Sequence, residues 1–242
     1  MLMDDYQATV AALFEKLKTT QHENCLQAGK MIADTLEKGG AVHIYDTGHI
    51  INSELIYRGG GMLAYKQLKY NLNVENPVRD RDRSGIDTSM EGLAKYVLKA
   101  SKALPGDLII IGSVSGKTPN TIDLAMAAHE FGMKVIALTS VEYSSSVKSL
   151  HSSGKRLFEC ADLVLDNCAP KAEAMMDIEG LDARFGAASG YAATFLMWSA
   201  TAAAIEELLK RGIKPSILKS ANYEDGPAFN AQLEEVYKKY GY

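Results

Sequence analysis

The sequence predicts an α/β fold, a parallel sheet with helices on both faces, and three observations predict it. First, the run Leu108-Ile109-Ile110-Ile111, with Val114 close behind, is apolar throughout and closed by Gly112. A short apolar run of this kind is the pattern of a parallel strand covered on both sides. Second, the run passes through a hydroxyl-rich turn into a helical pattern that starts at Pro119 and continues through Ile122, Ala125, Met126 and His129. Third, a strand–glycine turn–helix unit also occurs at 41–58, and a further apolar run follows at 134–138. Strands alternating with helices give a parallel sheet whose ligand lies at the carboxyl ends of the strands.

The elements follow in order. Tyr6, Val10, Leu13 and Leu17 recur at helical spacing, and Met31, Ile32 and Leu36 continue an apolar face to the stop at Gly39-Gly40, so 1–40 reads as a helical hairpin. Residues 41–45 are the first strand, Asp46-Thr47-Gly48-His49 its exit turn, and 50–58 a helix ended by Gly59-Gly60-Gly61. A short strand falls within 62–69. The stretch 71–91 contains Arg79-Asp80-Arg81-Asp82-Arg83, an alternating charge run that reads as a solvated loop or a lid. Residues 93–104 are helical, and Pro105-Gly106 turns into the central strand. Residues 134–138 and 162–165 are the next strands, with a short helix near Ser144-Ser145-Ser146 and a polar loop from His151 to Leu157 between them. Residues 166–188 read as loop. The Ala-rich stretch 189–211 is a long helix stopped by Gly212, and 228–240 is a last amphipathic helix. The expected organisation is one domain over 1–242: the hairpin 1–40, an α/β core 41–166, and C-terminal helices within 187–242.

Composition narrows the function classes. Of 242 residues, 47% are apolar and 23% charged, with a formal net charge of −4. No basic run stands out, which argues against a nucleic-acid partner. The N-terminus is acidic where a signal peptide is basic, and the longest apolar stretch, 187–205, is rich in Ala, Ser and Thr; no membrane span is expected. Cys25, Cys160 and Cys168 lack a Cys-x-x-Cys spacing, so a cytoplasmic protein without disulfides is expected. His129-Glu130 lacks the second His of a zinc helix, and no metal or other cofactor is called for. The Ala-rich helix and the hairpin suit packing on a second copy, as a homodimer or homotetramer.

The turn Ser113-Val114-Ser115-Gly116-Lys117-Thr118 carries the chemistry. Thr118 stands at the N-cap and Pro119 at the first helical position. The turn points backbone N–H groups and three hydroxyls at one spot, where the helix dipole also favours an anion. It is not a nucleotide P-loop, because Gly112 and Gly116 enclose three residues where four are needed. Nor is it a serine-nucleophile elbow, since Gly112-Ser113-Val114-Ser115-Gly116 has one residue too many. Filling a turn and capping one helix requires one hydroxyl, and this turn offers three.

The run Gly-Ser-Val-Ser-Gly-Lys-Thr behind an apolar strand, with the following strand opening after Gly132 and ending in Thr139-Ser140, resembles the signature of the sugar isomerase (SIS) domain. The resemblance covers most of the chain. It is nearest to an uncharacterised bacterial subfamily related to phosphoheptose isomerase, whose first loop is of Gly-Thr-Gly-His-Ser type, followed by a Glu and Tyr-Arg-x-Gly-Gly. This chain has Thr47-Gly48-His49, Glu54 and Tyr57-Arg58-Gly59-Gly60, but Asp46 stands for Gly and Ile50 for Ser. The resemblance implies an SIS or flavodoxin-like sheet and a phosphorylated sugar held by Ser113, Ser115, Gly116 and Thr118, with Thr47 and Gly48 forming the other wall.

It further implies aldose–ketose isomerisation, with Glu54 as base and His49 or His151 as acid. The bland reading of Glu54 is a surface residue paired with Arg58 at i+4. Some phosphoheptose isomerases use zinc. The same residues also suit an etherase-like lyase acting on N-acetylmuramic acid 6-phosphate, or a non-catalytic phosphosugar sensor; the altered first loop mildly favours weakened or changed catalysis.

Overall fold

The computed structural model describes residues 1–47 and 51–242. Its centre is a five-stranded sheet of β1 (Val42–Asp46), β2 (Tyr65–Gln67), β3 (Leu108–Gly112), β4 (Lys134–Thr139) and β5 (Leu163–Asp166). The strand order is β2-β1-β3-β4-β5 and every pairing is parallel. From β1 the chain therefore runs outward to β2, then returns to β3 on the other side of β1 and continues outward. The reversal lies between β1 and β3, where Asp46 pairs with Gly112 at the carboxyl ends. Crossovers leaving on opposite faces open a crevice at such a point.

Helices cover both faces. α1 (Leu2–Thr20), α2 (His22–Glu37) and α7 (Ser189–Lys210) lie over one face, and α4 (Leu93–Ala100) and α5 (Pro119–Glu130) over the other. Along β3, Leu108 and Ile110 enter the first core while Ile109 and Ile111 enter the second, all of them 0–1% exposed. Burial on both sides is why this strand reads as an unbroken apolar run; each such side chain contributes about 2 kcal/mol by leaving water. α2 and α7 approach closely at Gly29, where a Cβ would come within 2.5 Å of the Ala203 Cβ. The Ala-rich composition of 189–211 thus serves packing on α2 within the same chain.

Three sequence expectations change. The helix expected over 50–58 is the single turn α3 (Asn52–Leu55) among the described residues. Ile56 is already extended and Tyr57 has φ +53°. The chain leaves the helix because Gly60 N–H donates to Leu218 O and Leu218 N–H to Gly61 O, tertiary bonds that hold it against 216–218. The loop expected over 166–188 contains an antiparallel pair, β6 (Ala174–Met176) with β7 (Phe185–Ala187). Strands of three residues are too short to show a periodicity. The helix expected over 93–104 ends at Ala100, where Ser101 Oγ donates to Leu98 O. Two further helices, α6 (Val141–Ser146) and α8 (Gly226–Tyr240), match the expected segments closely. Residues 71–91 have almost no regular structure and are exposed.

No helix among the described residues is long and apolar enough to cross a membrane. Cys25, Cys160 and Cys168 are free and buried.

Candidate functional site

The carboxyl end of β3 opens into the turn 113–118. Ser113 N–H still donates to Leu138 O of β4 at 3.0 Å. Beyond it the pattern splits. The turn's carbonyls are tied from behind: Val114 O accepts from Ser140 N–H (3.0 Å) and the Thr139 hydroxyl (3.0 Å), Gly116 O from Leu157 N–H (2.8 Å), and Lys117 O from Leu150 N–H (3.0 Å). The N–H groups of Val114, Ser115, Gly116, Lys117 and Thr118 donate to no acceptor among the described residues. Five consecutive free donors at the start of a 12-residue helix form a concavity suited to an anion.

The side chains extend this surface. Ser113 is 4% exposed, and neither its hydroxyl nor that of Ser115 has a partner among the described residues. Thr118 stands at the N-cap of α5 but does not cap it. Its hydroxyl lies 3.1 Å from that of Thr121, which gives its own proton to Thr118 O. Thr118 is therefore the donor between the two hydroxyls, and rotation of its O–H would redirect that proton to a ligand. Gly116 has φ +55°, and a Cβ there would sit 3.0 Å from Ser144 Oγ and 3.1 Å from Leu157 Cβ. Only glycine fits this conformation without strain.

The opposite wall is the end of β1. Thr47 N–H and hydroxyl both reach Gly112 O, at 3.2 and 3.3 Å. Asp46, the departure from the subfamily's glycine, accepts the Ile51 N–H at 2.8 Å and so anchors the start of α3. Gly48 and His49 lie outside the described residues.

Glu54 lies on α3, its side chain 38% exposed and paired with Arg58 at 3.3 Å. It lines a cleft of about 830 Å³ with Phe14, Glu173, Ser189, Thr194 and Phe195. Glu173 and Ser189, whose hydroxyl bonds the Glu173 carboxylate, were not singled out by sequence; they lie on a segment with no motif. The turn 113–118 does not line this cleft.

His151 also lies apart from Glu54. Its side chain is 7% exposed. Ser153 N–H donates to Nδ1 at 3.0 Å, which leaves the proton of the neutral ring on Nε2, 3.7 Å from Glu91. Two hydrogen bonds from Ser152 hold the Glu91 carboxyl below the usual carboxylate range. This cluster fastens the end of the long loop 71–91 to the segment that supports Lys117. Among the described residues no group of three or more His, Cys, Asp and Glu side chains is placed to hold a metal ion.

Other polar groups missed by sequence reasoning are structural. Ser140 caps α6 through Tyr143 N–H (3.0 Å) and donates to Ala169 O (2.6 Å). At the amino end of the sheet Asp107 accepts from Ala41 N–H, Leu104 N–H and His43 Nε2 at 2.8–2.9 Å. This keeps His43 far from the carboxyl ends.

Fold and site together define a doubly wound α/β protein with an anion-receptive turn at its switch point. The SIS domain profile matches residues 5–140. A UPF0309 protein of Streptomyces griseus is 32% identical over 228 residues, 93% of this chain and 91% of that one. One from Shouchella clausii is 32% identical over 241 residues, 98% and 96% of the two chains. The chain belongs to the SIS-domain family. Its fold is similar to that of a phosphoheptose isomerase from Francisella tularensis, with a TM-score of 0.50 at 16% identity, covering 83% of this chain and 95% of that one.

Proposed function

We propose that this protein binds a phosphorylated sugar, with the phosphate on the turn 113–118, and interconverts its aldose and ketose forms. The observation that carries the binding reading is the row of five free N–H groups, Val114 to Thr118, whose carbonyl sides are held by Ser140, Thr139, Leu157 and Leu150. A phosphate monoester offers several acceptor oxygens to such a surface, and the α5 dipole adds to the attraction.

Isomerisation moves a proton from C2 to C1 and a hydroxyl proton from O2 to O1 through an ene-diol. Glu54, a half-buried carboxylate in the cleft between α3 and α7, serves as the base. His49 or His151 would move the hydroxyl proton. In D2O, turnover or reversible proton abstraction incorporates deuterium at the carbon beside the carbonyl. Exchange that requires Glu54 supports the isomerase, and exchange unchanged in Glu54→Gln removes that residue's role.

One observation favours a second reading. Among the described residues no histidine lines the Glu54 cleft, where the Glu54 carboxylate is paired with Arg58. A phosphosugar sensor without catalysis would show binding and no exchange. An etherase-like lyase would show exchange together with loss of the ether substituent, which product analysis separates.

A further inference from the structure

We infer that residues 73–87 form a lid that closes over the turn 113–118 and brings Arg79, Arg81 and Arg83 onto the phosphate; this rests on the phosphate reading of that turn. Both roots of the segment are tied to the turn's surroundings. At the first root the Tyr70 ring stacks on Tyr45 with centroids 5.7 Å apart. The Tyr45 hydroxyl in turn accepts from Nδ2 of Asn120 at 3.0 Å, on the first turn of α5 just after Thr118. At the second root Asp123 accepts the N–H groups of Gly92 (3.0 Å) and Ala94 (2.9 Å). Glu91 accepts from the N–H and hydroxyl of Ser152, close in sequence to Leu150, whose N–H holds Lys117 O. The two roots also meet each other, since Asn71 and Leu72 share a hollow of about 380 Å³ with Thr88, Ser89 and Met90. Fastened ends that lie close together let the span between them swing as a unit.

The span carries charge that nothing in the protein uses. Among the described residues no ion pair or hydrogen bond engages the side chains of Arg79, Arg81 or Arg83. Asp82, by contrast, accepts from the Ser84 N–H (2.8 Å) and hydroxyl (3.0 Å). In an extended chain successive side chains point to opposite sides. The alternation Arg79-Asp80-Arg81-Asp82-Arg83 therefore sorts three guanidinium groups onto one edge and two carboxylates onto the other. Such a cationic edge suits a phosphate dianion, because guanidinium groups pair with phosphate oxygens through two parallel hydrogen bonds. The turn itself supplies one cation, Lys117. Reach is sufficient: from Thr88 back to Arg83 the extended chain spans about 17 Å. Leu72, Val74, Val78, Ile86 and Met90 are 55–72% exposed, apolar surface that closure over the switch point would take out of water.

The test combines limited trypsin digestion with calorimetry, using glucitol 6-phosphate, an open-chain sugar phosphate that cannot isomerise. Trypsin should cut the free chain first after Arg79, Arg81 and Arg83. Saturating glucitol 6-phosphate should slow those cuts at least about tenfold, and unphosphorylated glucitol should not slow them. The triple variant Arg79→Gln, Arg81→Gln, Arg83→Gln changes only exposed side chains. It should keep the melting temperature of the free wild type and bind glucitol 6-phosphate at least about tenfold more weakly. Cuts at an unchanged rate in a chain that calorimetry shows to be saturated overturn the lid and leave the phosphate reading standing. Protection with undiminished affinity in the triple variant overturns the arginine contacts. Failure of the wild-type chain to bind glucitol 6-phosphate overturns both the lid and the phosphate reading.

Discussion

The carbonyl of Gly116 accepts the Leu157 N–H at 2.8 Å, and that bond faces the anion surface away from the protein body. Gly116 belongs to the turn after β3, whereas Leu157 opens a 3-10 turn forty-one positions later. Together with the bonds from Ser140 and Leu150 it engages the carbonyls of Val114, Gly116 and Lys117 and leaves the turn's donors free. Gly116→Ala places a Cβ against Ser144, Leu157 and Thr139 at φ +55°. It should cost about 1–3 kcal/mol in urea unfolding and weaken phosphosugar binding more than tenfold. Wild-type stability and affinity would show that the turn tolerates rearrangement.

Asp107 supplies the complementary control at the amino end of the sheet. Asp107→Ala leaves the donors of Ala41, Leu104 and His43 without their acceptor. A loss of about 3 kcal/mol or more is expected, at about 1–3 kcal/mol for each buried donor left unsatisfied. Ligand affinity of the folded fraction should be unchanged. A selective loss of affinity with full stability would place His43 and Asp107 in the site instead.

Glu54→Gln should abolish deuterium exchange into the sugar while leaving phosphosugar binding within about threefold. Arg58 is a surface partner, and losing its ion pair should cost under about 1 kcal/mol. Retained exchange in the variant would leave Glu54 as half of a surface pair.

The support behind the turn is pH-sensitive. The Arg156 guanidinium and backbone N–H hold the Glu159 carboxyl down at about 2, from an ordinary 4.5. A depressed carboxyl stabilises the fold fully above its unfolded value, and that contribution is lost as the pH falls through the folded one. Urea midpoints should therefore drop more steeply for the wild type than for Glu159→Gln between about pH 4.5 and pH 2. Parallel curves would show that this pair does not contribute.

The sheet was legible because its strands are buried on both sides. Leu108 to Ile111 has no alternation to decode, and Gly112, Pro119 and Gly132 mark where strand, turn and helix meet. The hydroxyls of Ser113, Ser115 and Thr118 were legible as a group through their spacing, although Thr118 proved to bond Thr121 rather than cap its helix. Nonlocal arrangements were not legible. Gly60 and Gly61 are held by Leu218, which shortens α3, and residues 174–176 form a strand only by pairing with 185–187. The carbonyl tethers from Ser140, Leu150 and Leu157 arise from three separate segments, so no local pattern announces them. Glu54 stood out by its place on the helix leaving the first loop together with the resemblance; its cleft is made by residues from α1 and α7 that are remote in sequence.

The most direct test is the melting temperature with glucitol 6-phosphate, with unphosphorylated glucitol, and in the Ser115→Asp variant, which puts a carboxylate among the free N–H groups. At about 100 times its dissociation constant the phosphorylated ligand should stabilise the wild type by about 2.7 kcal/mol, a rise of roughly 5–10 °C at this chain length. Glucitol and the Ser115→Asp variant should show no rise. Equal shifts with and without the phosphate, or a shift that survives Ser115→Asp, would contradict phosphate binding at the turn.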